Sequence, residues 1–283
     1  MSKINFHKMS GCGNDFIIID NRTAIVDERN LSDFIQKVCR RKMSVGADGL
    51  ILIENSQHAD FKWRFSNSDG SIAEMCGNGA RCAARFACLN DIAGPELSFE
   101  TDAGVISAQV TNDSVKIKMT DPASLSLDDA IDTESGPLRV SCLNTGVPHV
   151  VVEVENIETA DVFGIGREIR FHDAFAPKGT NVNFVSETEN GHIINRTYER
   201  GVEDETLACG TGCVASAIVM AHKYGRTSPI PVITRSGGIL TIHYKKRENA
   251  SVRFYDIYLE GDARIICNGE LLQDSWNYGF PEK

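Results

Sequence analysis

Two cysteines stand in near-copies of one short phrase. Cys76 lies in Met-Cys-Gly-Asn-Gly and Cys209 lies in Ala-Cys-Gly-Thr-Gly, and 209 − 76 = 133. The same offset takes Gly13 to Gly146 and continues as far as residue 104 of the first copy. A register held without gaps over this length predicts that one structural unit is duplicated and that each copy carries one thiol at the same place.

Each of these cysteines precedes a run of small and apolar residues, at 80–89 and 214–224. Such runs are typical of buried helices. The first amides of a helix have no partner inside it, and the helix dipole places partial positive charge there. A cysteine at that end is expected to have a lowered pKa. The nearby amides, those of Gly77, Asn78, Gly210 and Thr211, can hold a carboxylate.

Two such thiols predict a proton-transfer reaction at an amino-acid α-carbon. One thiolate would remove the α-proton while the thiol on the opposite face donates one, which inverts the configuration. Amides at the carboxylate would stabilise the charge that develops on it. This scheme needs no cofactor and no metal. The alternative is that both cysteines only fill space, which an isolated phrase would favour and a duplicated one does not.

The remaining pattern predicts an α+β fold. Short β-branched or apolar runs alternate with Gly, Asn and Asp, and residues 31–41 have the spacing of an amphipathic helix. Each half is expected to be a curved antiparallel sheet wrapped around one buried helix, with the active site in the cleft between the halves. We predict a first domain at 1–121, which residues 265–283 could complete, and a second at 122–264. The polar, acidic segment 121–137 is expected to be the linker.

Composition narrows the class of protein. The chain has 283 residues and a net charge of −10, so no basic face is available for nucleic acid. Its nine cysteines include no C-x-x-C pair, which disfavours zinc knuckles and redox motifs. The sequence has neither a membrane-spanning stretch nor the apolar core of a signal peptide near Met1. A cytoplasmic location with free thiols is expected.

Three segments carry a family resemblance. They are Gly-Asn-Asp-Phe at 13–16, Asn-Ser-Asp-Gly-Ser at 67–71 leading into Cys76, and Tyr-Glu-Arg-Gly at 198–201 leading into Cys209. Together with the paired cysteine phrases they resemble the diaminopimelate epimerases over nearly the whole chain. The resemblance implies an isomerase that interconverts LL- and meso-2,6-diaminopimelate without pyridoxal phosphate, on the route to lysine and peptidoglycan. It also implies two barrel-like domains that close over a small-molecule substrate, and it leaves a homodimer open.

The resemblance also assigns roles to residues. Cys76 and Cys209 would be the acid/base thiols, with His149 and Glu199 flanking the catalytic centre. The residues that would bind the substrate are Asn14, Asn67, Gly77, Asn78, Asn181, Glu199, Arg200, Gly210 and Thr211. Several have simpler alternatives: Asn14 and Asn67 lie in turn-like contexts, Asn181 could cap a strand end, and His149 could be a satisfied core histidine.

Two positions depart from the family pattern and two other functions stay open. Val147 replaces an Asn, and Gly49 replaces a Gln of some relatives, so recognition of the distal end of the substrate is expected to be looser. Activity on glutamate would then follow. The alternatives are a proline or hydroxyproline racemase, and a thiol redox or metal-binding protein.

Overall fold

The computed structural model describes residues 3–73, 75–134, 136–248 and 252–279. It divides into two compact units. The first is Met1–Ile117 with Asp262–Lys283, and the second is Lys118–Gly261. The domain boundaries expected from the sequence, near residues 121 and 264, stay a prediction.

The first unit is a mixed sheet with two helices. Its strands are β1 (Ile4–Gly11), β2 (Asn14–Asp20), β3 (Gly49–Glu54), β4 (Phe61–Asn67), β5 (Glu96–Thr101), β6 (Gly104–Thr111) and β7 (Ser114–Lys118). Helix α1 (Leu31–Cys39) connects β2 to β3, and α2 (Gly77–Leu89) connects β4 to β5. A strand from the end of the chain, Arg264–Leu271, pairs with β1 and completes the sheet.

The second unit repeats this order. Its strands are β8 (Ala123–Thr133), β9 (Gly136–Asn144), β10 (Pro148–Glu153), β11 (Asn181–Glu187), β12 (Ile193–Glu199), β13 (Asp204–Thr206), β14 (Ile230–Ile233), β15 (Ile239–Glu248) and β16 (Val252–Asp262), so that Arg264–Leu271 is β17. Helix α3 (Val162–Arg170) connects β10 to β11, and α4 (Gly210–Tyr224) lies between β13 and β14. Strand β8 pairs with β9 here as β17 pairs with β1.

The structure refines the predicted repeat. Helix α4 begins 133 residues after α2, and the two turn glycines Gly46 and Gly179 both have positive φ, +73° and +64°. Phe16 pairs with Gly49 in the first unit, whereas His149 pairs with Asn181 in the second. Because 149 − 16 = 133 and 181 − 49 = 132, one residue is missing before β11. The expected gapless register is therefore wrong by one residue over β3 and β4.

The α+β class is confirmed, but the sheets are not purely antiparallel. Strands β2 and β3, and β4 and β5, are parallel pairs, as are β10 and β11, and β12 and β14. The strands of each parallel pair are joined by a long connection that contains a helix. Parallel neighbours need a crossover of a dozen or more residues, usually a helix, and α1, α2, α3 and α4 supply these crossovers.

Helices α2 and α4 are the buried centres of their units. Residues 78–84 of α2 and 212–221 of α4 are buried without interruption. Helices α1 and α3 are amphipathic and cover the other face of their sheets, with Ile35 and Val38 of α1 packed near Leu50 and Leu52. No described helix combines the length and the apolar character that a membrane crossing requires.

Part of the predicted linker, 121–137, is in fact the strand β8. Most of its side chains are exposed or half-buried, and Ile131 is its buried apolar residue. A strand with so little buried surface shows no apolar alternation, so its sequence has the composition of a loop. Helix α3 was not predicted either, although it begins only two residues before residue 164, where an offset of 133 would place the repeat of α1.

Candidate active site

Cys76 is the N-cap residue of α2. Its backbone is extended, with φ −146° and ψ 114°, and its carbonyl accepts the first helical hydrogen bond, from the amide of Ala80, at 2.8 Å. The side chain makes no capping bond to the helix. The amides of Gly77 and Asn78 lie in the first turn, where no acceptor exists inside the helix.

Asn14 lies beside the Cys76 thiol. The thiol donates to Oδ1 of Asn14 at 3.5 Å, and Nδ2 of Asn78 approaches the same oxygen at 3.5 Å. Nδ2 of Asn14 donates to Asp48 at 2.6 Å. Asp48 therefore orients the Asn14 amide so that its carbonyl oxygen faces the sulfur.

The fully buried side chain of Arg81 fixes the first turn of α2. Its guanidinium donates to the carbonyl of Gly77 at 3.3 Å, to Oδ1 of Asn78 at 3.1 Å and to the carbonyl of Asp262 at 3.2 Å. A buried guanidinium needs such acceptors. The arrangement holds the Cys-Gly turn to the body of the first unit.

Cys209 is the N-cap of α4 in the same way. Its backbone is extended, with φ −113° and ψ 107°, and its carbonyl accepts from the amide of Cys213 at 2.9 Å. Its sulfur lies 3.5 Å from Oγ1 of Thr211. The carbonyl of Thr211 accepts from Thr145 at 3.2 Å, which fixes this turn against the end of β9. Both predicted thiols thus begin the central helix of their unit.

His149, Asn181 and Arg200 form a cluster in the second unit. His149 pairs with Asn181 across β10 and β11 and is 1% exposed. Oδ1 of Asn181 accepts from the amide of Arg200 at 2.9 Å, and its Nδ2 donates to the carbonyl of Pro148 at 3.1 Å. Burial, and then the charge of Arg200, lower the pKa of His149 to about 3. The imidazole is therefore neutral at neutral pH.

Glu199 ends β12, next to Arg200. Oε2 accepts a hydrogen bond from Oγ1 of Thr206 at 2.8 Å. Burial raises the pKa of Glu199 and the bond from Thr206 partly offsets this. A half-buried carboxyl with a raised pKa keeps its proton to a higher pH than an exposed one does.

Asn67 stabilises the turn that follows β4. Its Nδ2 donates to Oγ of Ser71 at 3.0 Å, and its backbone amide donates to the carbonyl of the same serine at 2.9 Å. Asn181, as described above, is also bonded to backbone. The structure thus shows turn or backbone hydrogen bonds for both side chains, and their binding of substrate stays a prediction.

Gly49 is glycine for reasons of packing. An ideal Cβ there would lie 2.6 Å from the ring of Phe65 and 2.6 Å from the carbonyl oxygen of Ser66. In this chain a larger residue at this position of β3 would force Phe65 and the backbone at Ser66 to shift. The packing therefore accounts for the glycine, and whether Gly49 and Val147 broaden the substrate range stays a prediction.

Buried thiols outside the two caps are unsuited to acid/base work. Burial raises the pKa of Cys12 to about 11 and those of Cys39 and Cys82 to about 12. A thiol with such a pKa remains protonated and acts as a small apolar side chain. Among the described residues, no group of three or more His, Cys, Asp or Glu side chains is placed to hold a metal ion.

The sequence and the fold match known proteins. The family model described as diaminopimelate epimerase matches residues 6–126 and 141–266. The curated diaminopimelate epimerase of Aquifex aeolicus is 46% identical over 97% of this chain and 100% of its own length. That of Hydrogenobaculum sp. is 45% identical over 93% of this chain and 97% of its own.

This chain belongs to the diaminopimelate epimerase family. The membership predicted from the three segments and the paired cysteine phrases is confirmed, and with it the isomerase class. A solved structure described as a probable proline racemase from Agrobacterium radiobacter K84 has a TM-score of 0.71, covering 97% of this chain and 94% of its own, at 16% identity. At that identity the likeness shows a shared fold alone.

Three residues with clear contacts to the predicted site residues were missed from sequence. Asp48 orients Asn14, Thr206 holds Glu199, and Asn183 bonds to His149 at 3.0 Å. A signal existed for Asn183: it lies two residues after Asn181 in a segment, 181–185, that is otherwise apolar, so both side chains point to one face. Asp48 and Thr206 gave no comparable signal.

Proposed function

We propose that this chain interconverts LL- and meso-2,6-diaminopimelate by moving the α-proton between two cysteines. Family membership supports the substrate. The observation that carries the mechanism is that Cys76 and Cys209 are the N-caps of the two central helices, with the same extended backbone and no capping bond from the side chain.

The two caps suit a carboxylate substrate. First-turn amides point along the helix axis toward the N-terminus, where partial positive charge stabilises an anion. The α-carboxylate would bind to the amides of Gly77 and Asn78 of one helix and of Gly210 and Thr211 of the other. As the α-proton leaves, charge moves onto this carboxylate, and amides already in place stabilise it without rearrangement.

The thiols would act as a pair with opposite protonation. One sulfur is a thiolate that takes the proton, and the other is a thiol that supplies one to the opposite face of the α-carbon. The carbonyl oxygen of Asn14 can only accept, so the bond that Cys76 makes to it requires the protonated thiol. Thr211 beside Cys209 carries a hydroxyl, which can donate to a thiolate.

The distal end of the substrate needs both signs of charge. Arg200 would bind the distal carboxylate, since a guanidinium can do so with two parallel hydrogen bonds. Asn14, Asn67, Asn181 and Glu199 would complete recognition of the amino groups and carboxylates. Turnover of glutamate, expected from Val147 and Gly49, stays a prediction.

Proton exchange in deuterated water tests the mechanism. LL-diaminopimelate is incubated with the wild type, Cys76→Ala, Cys209→Ala and the control Cys88→Ala, a second half-buried thiol on α2. We expect the first two variants to lose epimerisation by at least about 10²-fold, the usual contribution of a general acid or base, while Cys88→Ala retains it. NMR follows both α-deuteration and the appearance of the meso isomer.

The outcomes of this exchange experiment distinguish a one-base mechanism from a two-base mechanism. A single-cysteine variant that retains one base should still exchange the α-proton of the isomer whose proton faces that base, without inverting it. If either variant epimerises at the wild-type rate, the two-thiol mechanism is wrong. If the wild type exchanges glutamate or proline but not diaminopimelate, the assigned substrate is wrong.

A further inference from the structure

The side chains that pack against the first turn of the central helix are apolar in the first unit and polar in the second. In the first unit, a Cβ added at Gly79 of α2 would meet apolar side chains, at 3.3 Å from Ile51 and Trp63 and 3.5 Å from Phe16. In the second unit, a Cβ at Gly212 of α4 would meet polar ones. It would clash with Oδ1 of Asn183 and lie 3.2 Å from Oγ1 of Thr197. An apolar cluster in one repeat is thus replaced by a polar one in the other.

The polar cluster forms a hydrogen-bonded chain in which each donor is defined. Ser216 donates to Oδ1 of Asn195 at 2.8 Å, Nδ2 of Asn195 donates to Thr197 at 2.9 Å, and Thr197 donates to Oδ1 of Asn183 at 2.9 Å. All four side chains are at most 2% exposed. We call this set, with His149 at its end, the asparagine chain.

The contact between Asn183 and His149, at the end of the asparagine chain, determines which ring nitrogen of His149 carries the proton. Nδ2 of Asn183 donates to the carbonyl of Val150 at 2.9 Å, and Oδ1 already accepts from Thr197, so the amide cannot be turned around. The same Nδ2 lies 3.0 Å from Nδ1 of His149. Nδ1 must therefore accept, and a neutral imidazole that accepts at Nδ1 has its proton on Nε2.

That N–H points to a place without an acceptor. Nε2 of His149 is buried and has no hydrogen-bond partner among the described residues. A buried donor without a partner is destabilising, so in native proteins such a group usually has a function. Apart from it, every side-chain group of the asparagine chain named above has a described partner.

We propose that Asn183 is a positioning residue, which holds His149 as the neutral tautomer with its proton on Nε2 so that this N–H can donate to an anionic group during the reaction. The inference rests on the proposed function, because the acceptor would be a thiolate or a carboxylate of the bound substrate. The first unit has no such donor, since Phe16 occupies the place of His149 in the repeat.

The wild-type tautomer is the direct test. The protein is labelled with ¹⁵N-histidine, and the resonances of His149 are assigned by their loss in His149→Gln, since the chain has seven histidines. We expect one protonated nitrogen, Nε2, between pH 6 and 8. A proton on Nδ1, or an imidazolium, would overturn the proposal whether or not any variant folds.

The substitution Asn183→Asp tests the link to the reaction. The new carboxylate replaces a donor with an acceptor, so the proton should move to Nδ1. We expect kcat to fall about 10- to 100-fold, the range for losing a hydrogen bond to a charged group, with little change in KM. The control is Asn195→Asp, the same change in the same buried chain but not in contact with His149. It should lower the melting temperature and leave the tautomer in place.

The readouts distinguish this proposal from the proposed function. If the wild type shows the Nε2 proton but does not epimerise diaminopimelate, the proposed function fails and the tautomer assignment stands. If Asn183→Asp moves the proton without lowering kcat, or if Asn195→Asp lowers kcat equally with an unchanged tautomer, Asn183 has no positioning role.

Discussion

At the scale of single residues, the second unit combines a cation, a neutral histidine and a half-buried carboxyl within three adjoining strands, β10, β11 and β12, and their ends. Arg200 contributes to keeping His149 neutral, and its amide is fixed by Asn181. Its side chain has one long bond, to the carbonyl of Lys178 at 3.4 Å. A guanidinium with so weak an internal bond is available to bind an anion.

The substitution Arg200→Lys should therefore weaken substrate binding more than it weakens the fold. A lysine keeps the charge but cannot make two parallel bonds to a carboxylate. We expect KM for diaminopimelate to rise about 10-fold or more, with a change in the free energy of unfolding below about 1 kcal/mol. Steady-state kinetics and urea unfolding measure the two effects.

The matched control is Arg235→Lys. Arg235 belongs to the same unit, is partly exposed and lies 3.5 Å from Glu205. This substitution should leave KM and the free energy of unfolding unchanged. An unaltered KM in Arg200→Lys would show that this guanidinium does not bind the distal carboxylate.

The sequence identified the capping cysteines because their chemistry is local. A thiol followed by glycine at the start of an apolar helix can be recognised within a dozen residues. Asp48 and Thr206 could not be found in this way, because each acts on a side chain from a different segment, 34 and 7 residues away. Such contacts depend on strand pairing, which the local pattern does not reveal.

At the scale of secondary structure, the two central helices are alike in their caps and different in their surroundings. Helix α2 packs against aromatic and aliphatic side chains that can shift by a few tenths of an ångström. Helix α4 packs against amides that are held on both sides by hydrogen bonds. The same change in both helices should therefore have unequal effects.

Alanine at the paired glycines tests this difference. Gly79→Ala gains about 0.5–1 kcal/mol from helix propensity and has contacts at 3.3 Å that side chains can relieve. Gly212→Ala displaces Asn183 and breaks its bond from Thr197, a loss of about 1–3 kcal/mol. We expect Gly212→Ala to be the less stable variant by at least about 1 kcal/mol in urea unfolding. Equal stabilities would contradict the rigid asparagine chain.

Two strands at the edge of the sheet, β8 and β17, were not predicted from the sequence. Strands β8 and β17 have few buried residues, only Ile131 in the first and Leu271 in the second. Burial on one face is what produces alternation in a sequence. Where little surface is buried the alternation disappears, and only the pairing with β9 or β1 identifies the segment as a strand.

At the scale of the whole molecule, the buried His149 and the half-buried Glu199 have pKa shifts of opposite direction and contribute oppositely to the pH dependence of stability. The pKa of His149 falls from 6.5 to about 3 on folding, so the unfolded chain binds a proton there that the folded chain does not. The contribution of His149 to the free energy of unfolding is fully present above pH 6.5 and is lost as the pH falls. Glu199 has a raised pKa, so its contribution is present below its ordinary value of 4.5 and is lost as the pH rises.

Between pH 7 and pH 5 the histidine should dominate, because its proton uptake on unfolding lies within that window. We expect the wild type to lose about 2 kcal/mol of unfolding free energy from His149 alone on going from pH 7.5 to pH 5, since each pH unit below 6.5 is worth about 1.4 kcal/mol. In His149→Gln this loss should disappear, because glutamine does not titrate. Urea unfolding at pH 7.5, 6 and 5 measures both slopes, and Glu199→Gln, which removes the shift of opposite sign, is the control. Parallel slopes for the wild type and His149→Gln would mean that the folded protein protonates this histidine as readily as the unfolded chain does, and the asparagine chain would then not enforce a neutral imidazole.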